Sequence, residues 1–534
     1  MDFSIKFHEK TKHSAESVYG STWSLDWDNR PFPFKVYPDL VPITLSEDYK
    51  IQEKSALDAI STNPEKSDKI RFNKQLLTTF LFFTGGISRV IKHPEHSFYM
   101  RTASATGALY PIELYVITQN FSDLENGVYH FSVGDFTLNQ IRKGNYFKHL
   151  SNNCSESEID VRSPLTLLYS SYAIRNSWKY RTRSYRHWFW DGGVMMANTI
   201  AIASAFNLQS KIITSFNDQA LNKLCGLTDK QEAIIALISF NQDDIADLRT
   251  DKKNNFITNV PNIKLDSLKL AKKAYNFESI WDIHQKTSFL GREDLQKWND
   301  DVNSCINFIK IKKPNKIIKS FSQIDVLDLE KTILQRGSTN RFKQEPIPKE
   351  SFLLILKSAN SGIPSDFLPN NESTFLDCYI NVHDVMDVDS GSYHYDIANN
   401  TLSLLKPGNF RNETSQLCLG QQLFGSTNAI IFLLTNLEKI VHHFGDRAYR
   451  VAQLEGGIVS GKLYLSSYAL KFGARGTTFF DDEVTKFFSP HANKKSVMTA
   501  VGIGIPDYKT KAGKKLKPVY TREKITQELI NHLT

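Results

Sequence analysis

The strongest constraint on this chain is that it repeats itself. Residues 127–131 read GVYHF, and 264 positions later residues 391–395 read GSYHY. The same offset lays TLNQIRKGNY (137–146) on TLSLLKPGNF (401–410), YRHWFWDGG (185–193) on YRVAQLEGG (449–457), and SFND (215–218) on FFDD (479–482). Chance does not hold an ungapped register over more than ninety positions, so two copies of one domain are expected. The length of 534 residues agrees, because single hydrophobic cores stop growing well before that size. The expected layout is an extension over 1–50, a first domain over 51–250, a linking region over 251–325 and a second domain over 326–534. Two such copies can pack about a pseudo-twofold axis as a homodimer does. A site at their interface then starts as two pseudo-equivalent sites, each free to diverge.

Within one copy, Ile112–Thr118 is β-branched and aromatic and reads as a strand. Gly127–Phe131 and Thr137–Arg142, separated by a turn with Gly134 and Asp135, read as a hairpin. Leu165–Ser171 fits a buried strand, and Glu232–Phe240 a last strand matched by Val497–Ile505 in the second copy. Gly193–Phe206 is apolar nearly all round, the mark of a helix inside the fold. The class expected is α+β, with a mixed α/β sheet as the alternative.

Composition narrows the function classes. A hydrophobic fraction of 41% with 23% charged residues argues for a folded rather than a disordered chain. The longest apolar runs, Leu76–Phe83 and Ala429–Leu434, are far short of the ~20 residues of a membrane span. The opening MDFSIKFHEKTKH carries charges where a signal peptide needs apolar residues, so a cytoplasmic location and no membrane are expected. Cys154, Cys225, Cys305, Cys378 and Cys418 make no CxxC pair, which argues against disulfides and zinc. His442 and His443 are adjacent and cannot easily share one face, so no metal is expected. Gly502 and Gly504 lack the third glycine of a dinucleotide fingerprint. The net charge of +8 is modest and gives no specific support for nucleic acid. Its densest run, Lys509–Arg522, reads as a solvated tail or an anion contact.

The segment RTASATGALYPIELYV (101–116) carries a run of small residues at Ser104, Ala105, Thr106, Gly107 and Ala108. Such residues let backbone approach a flat ligand closely and offer N–H and hydroxyl donors, although any loop before a strand could look the same. With its strand it resembles the hallmark segment of the SagB/ThcOx branch of the nitroreductase superfamily, the FMN-dependent dehydrogenases of azoline-containing peptides. FHEKTKHSAESVYG (7–20), LDWDNRPFPFKVYPDL (25–40) and SWKYRTRSYRHWFWDGGVMMANTIAIASAFNL (177–208) resemble further segments of that branch in the same order. The resemblance implies two tandem nitroreductase-like domains forming an intramolecular pseudo-dimer, with further homo-oligomerisation left open.

It also implies a site. Arg101, Ser104, Ala105, Thr106, Gly107, Ala108 and Leu109 supply the flavin loop. The family holds the flavin phosphate with an Arg-Arg-Ser-x-Arg-Arg-like stretch, matched by Arg336, Ser338 and Arg341 in LQRGSTNRF, with Gly337 and Asn340 departing from it. GARGTTFFDD (473–482) resembles the segment whose backbone amides approach flavin N5, implicating Arg475, Gly476, Thr477 and Thr478. The first copy lacks the arginine stretch, having none before Arg71 in ALDAISTNPEKSDKIRF (56–72). The second lacks the loop, the offset landing on LPNNESTF (368–375). Because nitroreductase dimers build each site from both subunits, these complementary losses leave one composite site and one FMN per chain.

Lys179 and Tyr180 occupy the place of the Lys-Tyr pair of azoline oxidisers, against His443 and Phe444 in the second copy. Aromatising an azoline removes a hydride and a neighbouring proton; the flavin takes the first and this pair handles the second. The function expected is therefore dehydrogenation of a heterocycle or related C–N bond in a peptide-derived substrate, with a cyclodehydratase or carrier protein as a partner. The alternatives are an NAD(P)H-dependent reductase of small molecules and a non-catalytic flavin-binding or scaffold protein.

Overall fold

The computed structural model describes residues 2–534 apart from 94–96, 156–162, 242–256, 264, 305–308, 311–323, 510 and 516–517. The expected boundary at 250/251 and Cys305 lie outside the described residues. In the first half the strands are β1 (Pro42–Thr44), β2 (Ile87–Lys92), β3 (Ser97–Arg101), β4 (Ile112–Thr118), β5 (Gly127–Ser132), β6 (Thr137–Lys143), β7 (Leu165–Tyr172), β8 (Gln209–Ile213) and β9 (Glu232–Asn241). The second half adds β10 (Ile309–Lys310), β11 (Phe342–Lys343), β12 (Ser373–Thr374), β13 (Asp377–Val382), β14 (Gly391–Asp396), β15 (Thr401–Pro407), β16 (Ala429–Thr435), β17 (Gly473–Thr477) and β18 (Ser496–Pro506).

The repeat is visible in the sheets. The first runs β6-β5-β4-β7-β9-β8, with β1 added beside β6. The second runs β15-β14-β13-β16-β18, with β17 and β11 on β18, so six strands recur in one order. All pairings within both sheets are antiparallel, which settles the class as α+β rather than mixed α/β. The expected hairpin and strands are present to within a residue or two, and the helix expected over 193–206 is the C-terminal part of Ser184–Ala205.

That helix and its counterpart Arg447–Ala469 are buried along their entire lengths, because each is covered by its own sheet and by the other half. They cross where the aligned Gly-Gly pairs meet. A β-carbon on Gly193 would lie 2.6 Å from the Leu454 carbonyl oxygen, and one on Gly457 2.6 Å from that of Trp190. Backbone touches backbone there, so only glycine fits.

Two buried ion clusters flank the crossing. Arg183 and Arg186 of the first half reach Asp481 at 2.9 and 2.7 Å, while Arg447 and Arg450 of the second reach Asp218, the former at 2.7 Å. Each acid opens a short helix, so Asp481 corresponds in role to Asp218, one residue off the 264 register. Arg186 also donates to the His8 carbonyl and Thr11 hydroxyl, and Arg450 to the His284 carbonyl and Thr287 hydroxyl. The helix Glu278–Lys286 thus does for the second half what Phe3–Lys10 does for the first. The stretch expected to link the domains therefore contains packed helices, with Ile280, Ile283 and Trp298 buried.

The basic run near the C-terminus is no free tail. Gly513 N–H donates to the Leu334 carbonyl at 2.6 Å and Lys514 N–H to that of Ser88 at 2.9 Å, threading the run between the halves. The final helix Arg522–Leu533 returns to the first half, where Arg522 pairs with Asp135 at 2.6 Å. No described helix is long and apolar enough to cross a membrane.

Candidate functional site

The small-residue loop follows β3 and is shaped by what it touches. Gly107, Ala108 and Tyr110 all have positive φ (63°, 54° and 47°). Ala108 and Tyr110 each carry about 1–3 kcal/mol of backbone strain in that region, whereas Gly107 carries none. The strained turn is held from the first half's central helix. Asp191 accepts from the Thr106 N–H at 2.8 Å and its hydroxyl at 2.7 Å, and from Asn176 at 3.2 Å. Burial pushes the Asp191 carboxyl up to about 6 against the pull of these bonds. Arg175, paired with Glu113 at 2.5 Å, donates to the Tyr110 carbonyl at 3.0 Å.

Tyr180 ends the helix Ala173–Tyr180 and lies against this loop: a β-carbon on Gly107 would sit 2.6 Å from its hydroxyl oxygen. Burial raises its phenol well above the usual range, Asp191 adds to that, and Arg475 of the second half opposes it. Lys179 is exposed, its ammonium 5.4 Å from the centre of the Tyr180 ring. Burial of its inner part, then Arg30, lower its pKa. His187 was not anticipated. It is buried edge-on to Tyr180, ring centres 4.5 Å apart, with neither ring nitrogen hydrogen-bonded among the described residues.

The second half supplies the other wall. Arg336, just past the helix Leu329–Gln335, donates to the Arg101 carbonyl at 2.7 Å and the Thr102 carbonyl at 3.1 Å. The arginine of one copy therefore grips the loop of the other, although two of its donors are committed to carbonyls. Ser338 lies 3.4 Å from the Tyr464 hydroxyl, which accepts from the Gly476 N–H at 2.5 Å. Thr477 donates to the Thr478 carbonyl, and the Thr478 hydroxyl is buried with no partner among the described residues. Arg475 donates to Asn340 at 2.6 Å. Arg341 is exposed over the Tyr508 ring, and Arg101 turns inward, donating to the carbonyls of Ile112 and Pro33; neither joins the loop's open side. Ser104, Ala105, Ala108 and Leu109 remain half-exposed along that side.

The counterpart site is closed by the chain itself. Thr374 and the Phe375 N–H donate to Glu455, as Thr106 does to Asp191, so Thr374 rather than Asn370 corresponds to Thr106 and the loop is four residues shorter. The residues lost are those that turn left-handed around Gly107. Beyond β8, the carboxylate of Asp366 takes the Thr214 and Ser215 N–H groups at 2.7–2.9 Å and the Thr214 hydroxyl at 2.8 Å. Thr214 stands where the open site has Thr478. Phe367 and Leu368 are buried beside it. Lys462, at the position of Asn198, donates to the Ser361 hydroxyl at 2.9 Å and the Gly362 carbonyl at 2.7 Å.

No family model matches the chain. A candidate nitroreductase of Methanocaldococcus jannaschii is 25% identical over 167 residues, 30% of this chain and 84% of that protein. The crystal structure of a candidate nitroreductase from Anabaena variabilis superposes with a TM-score of 0.71 at 23% identity, covering 95% of this chain and all of that one. The chain has the nitroreductase fold. Both halves of this nitroreductase-like chain fall within the superposed length.

Proposed function

We propose that this nitroreductase-like chain is an FMN-dependent oxidoreductase with one flavin per chain, dehydrogenating an azoline or related C–N bond of a peptide-derived substrate. The observation that carries it is the asymmetry between the two interface sites. One presents a strained loop of small residues, the interface guanidinium of Arg336 and a buried Thr478 hydroxyl without a partner among the described residues. In the other, Asp366 occupies the equivalent donors.

The residues present suit a flavin. The loop 104–109 offers backbone at close range, Arg336 lies at its root, and past the strand end the Thr478 hydroxyl offers a donor from the second half. A bound flavin supplies a hydride acceptor. Tyr180 stays protonated through the physiological range, so it orients substrate and relays a proton rather than acting as the base. Lys179, its amine held below the usual lysine range, accepts the proton at the mouth. Asp191 fixes Thr106 and so the loop beneath them.

Purified protein is expected to release about one FMN per chain, and its flavin absorbance to bleach anaerobically with an azoline peptide. Lys179→Ala and Tyr180→Phe should retain FMN yet slow that bleaching about 10²–10⁴-fold. Two flavins per chain, or a protein that cannot be loaded with flavin, refutes the site. Bleaching by NADH or NADPH alone, indifferent to both substitutions, makes the chain a reductase instead.

A further inference from the structure

Arg89, in β2 of the first half, is half-buried beside Arg336 of the second. Its Nη2 donates to the Arg336 carbonyl at 2.9 Å, and its Nε is buried with no partner among the described residues. Arg336 is 6% exposed; its Nε and Nη2 are committed to the loop, while Nη1 reaches only the Gly337 carbonyl at 3.4 Å. Among the described residues no carboxylate pairs with either guanidinium, and the other groups acting on Arg89 are the phenols of Tyr468, Tyr110 and Tyr508. Two neighbouring cations withdrawn from water without a counter-charge are costly, unless an anion completes them.

Gly337 adds a steric observation. A β-carbon there would lie 3.3 Å from the Tyr468 hydroxyl and 3.7 Å from Arg89 Nη2, so a guanidinium from the other half lies beside the place where the resemblance expects a second arginine on the 336–341 stretch. We propose that Arg89 and Arg336 form a two-armed clamp for a phosphate monoester, one arm from each copy. Resting on the flavin reading above, the monoester is the terminal phosphate of FMN. Arg89 Nε and Arg336 Nη1 are donors for it, while Arg89 Nη2 and Arg336 Nε and Nη2, bonded to backbone carbonyls, hold the clamp in shape. The two halves would then be joined through the cofactor as well as through their helices.

The test compares FMN with riboflavin, which lacks the phosphate, by fluorescence titration of flavin-free full-length protein. Arg89→Gln should weaken FMN about 10- to 150-fold and leave riboflavin unchanged. Arg89→Lys should recover part of the loss, since an ammonium keeps the charge without the fork. Equal weakening of both flavins would mean that Arg89 only holds the Arg336 carbonyl, and no change in either would remove it from the site; both overturn the clamp. Wild-type protein that binds neither flavin sinks the flavin reading itself. Inorganic phosphate separates the two failures: it should raise the melting temperature of the flavin-free wild type but not of Arg89→Gln. Absence of that rise overturns the clamp whether or not flavin binds.

Discussion

Lys462 allows a quantitative test of how the second interface site was closed. The residue is 1% exposed, and burial lowers the pKa of its amine from 10.5 to about 7. Between those values the unfolded chain holds a proton that the folded chain has released, so stability rises with pH across this window, at up to about 1.4 kcal/mol per pH unit. The penalty is full below pH 7, where both states are protonated, amounts to roughly 4–5 kcal/mol, and is gone above 10.5. Lys462→Met keeps the length and removes the titration. It also strips the donor from the Ser361 hydroxyl and the Gly362 carbonyl, a loss of about 1–3 kcal/mol. The variant should therefore be more stable than wild type at pH 6 by roughly 1–4 kcal/mol and less stable at pH 10. Urea unfolding of both proteins between pH 6 and 10 measures the difference. A stability difference that does not vary with pH would refute the reasoning, since the amine would then stay charged in its pocket.

Two further substitutions probe the interface. Gly457→Val should destabilise by about 1–3 kcal/mol or more, because its β-carbon would meet the Trp190 carbonyl, while Gly291→Ala, with nothing within 4 Å, serves as the neutral control. Equal melting temperatures for the two would show that the helices do not touch there. Asp481→Asn should cost about 3–5 kcal/mol by stranding Arg183 and Arg186, and Asp218→Asn a similar amount by stranding Arg447 and Arg450. Both carboxyls are held below the usual range, Asp218 and Asp481 each by its two arginines against burial, so their contribution is present above the ordinary carboxylate pKa and is lost as pH falls below it. Acid titrations of wild type and the two variants that run parallel would contradict this.

What was legible in the sequence was whatever the fold enforces in both copies. Gly193 and Gly457 align because backbone meets backbone at the crossing, and the hairpin residues align because both sheets need that turn. The 264 register misleads where the copies parted: it pairs Thr106 with Asn370, whereas the contraction by four residues puts Thr374 on Glu455. The kinship of FHEKT (7–11) and IHQKT (283–287) was hidden because it lies outside that register, and only their shared hold on an arginine pair reveals it. Of the candidate site, the loop, Tyr180 and Arg336 were legible as candidates, and the structure brings them together. Arg89, His187 and Asp366 were not: each is a single residue in an ordinary-looking stretch, given meaning only by a partner far away in the chain.

The Asp366 carboxylate has a consequence for how such a chain can change. In a dimer of identical subunits every substitution lands twice, so an acid that blocks one interface site blocks both and the activity is lost at a stroke. Covalent duplication breaks that bond between the two sites. In the reading proposed above, Asp366 fills the donors of one site while those of the other stay open, and residues on the filled side, Lys462 and Glu455 among them, serve packing alone. The two walls of the other site come from separate stretches of one gene, so each can change without altering a second copy of itself. Dilution cannot part them either, because the partner is always at hand.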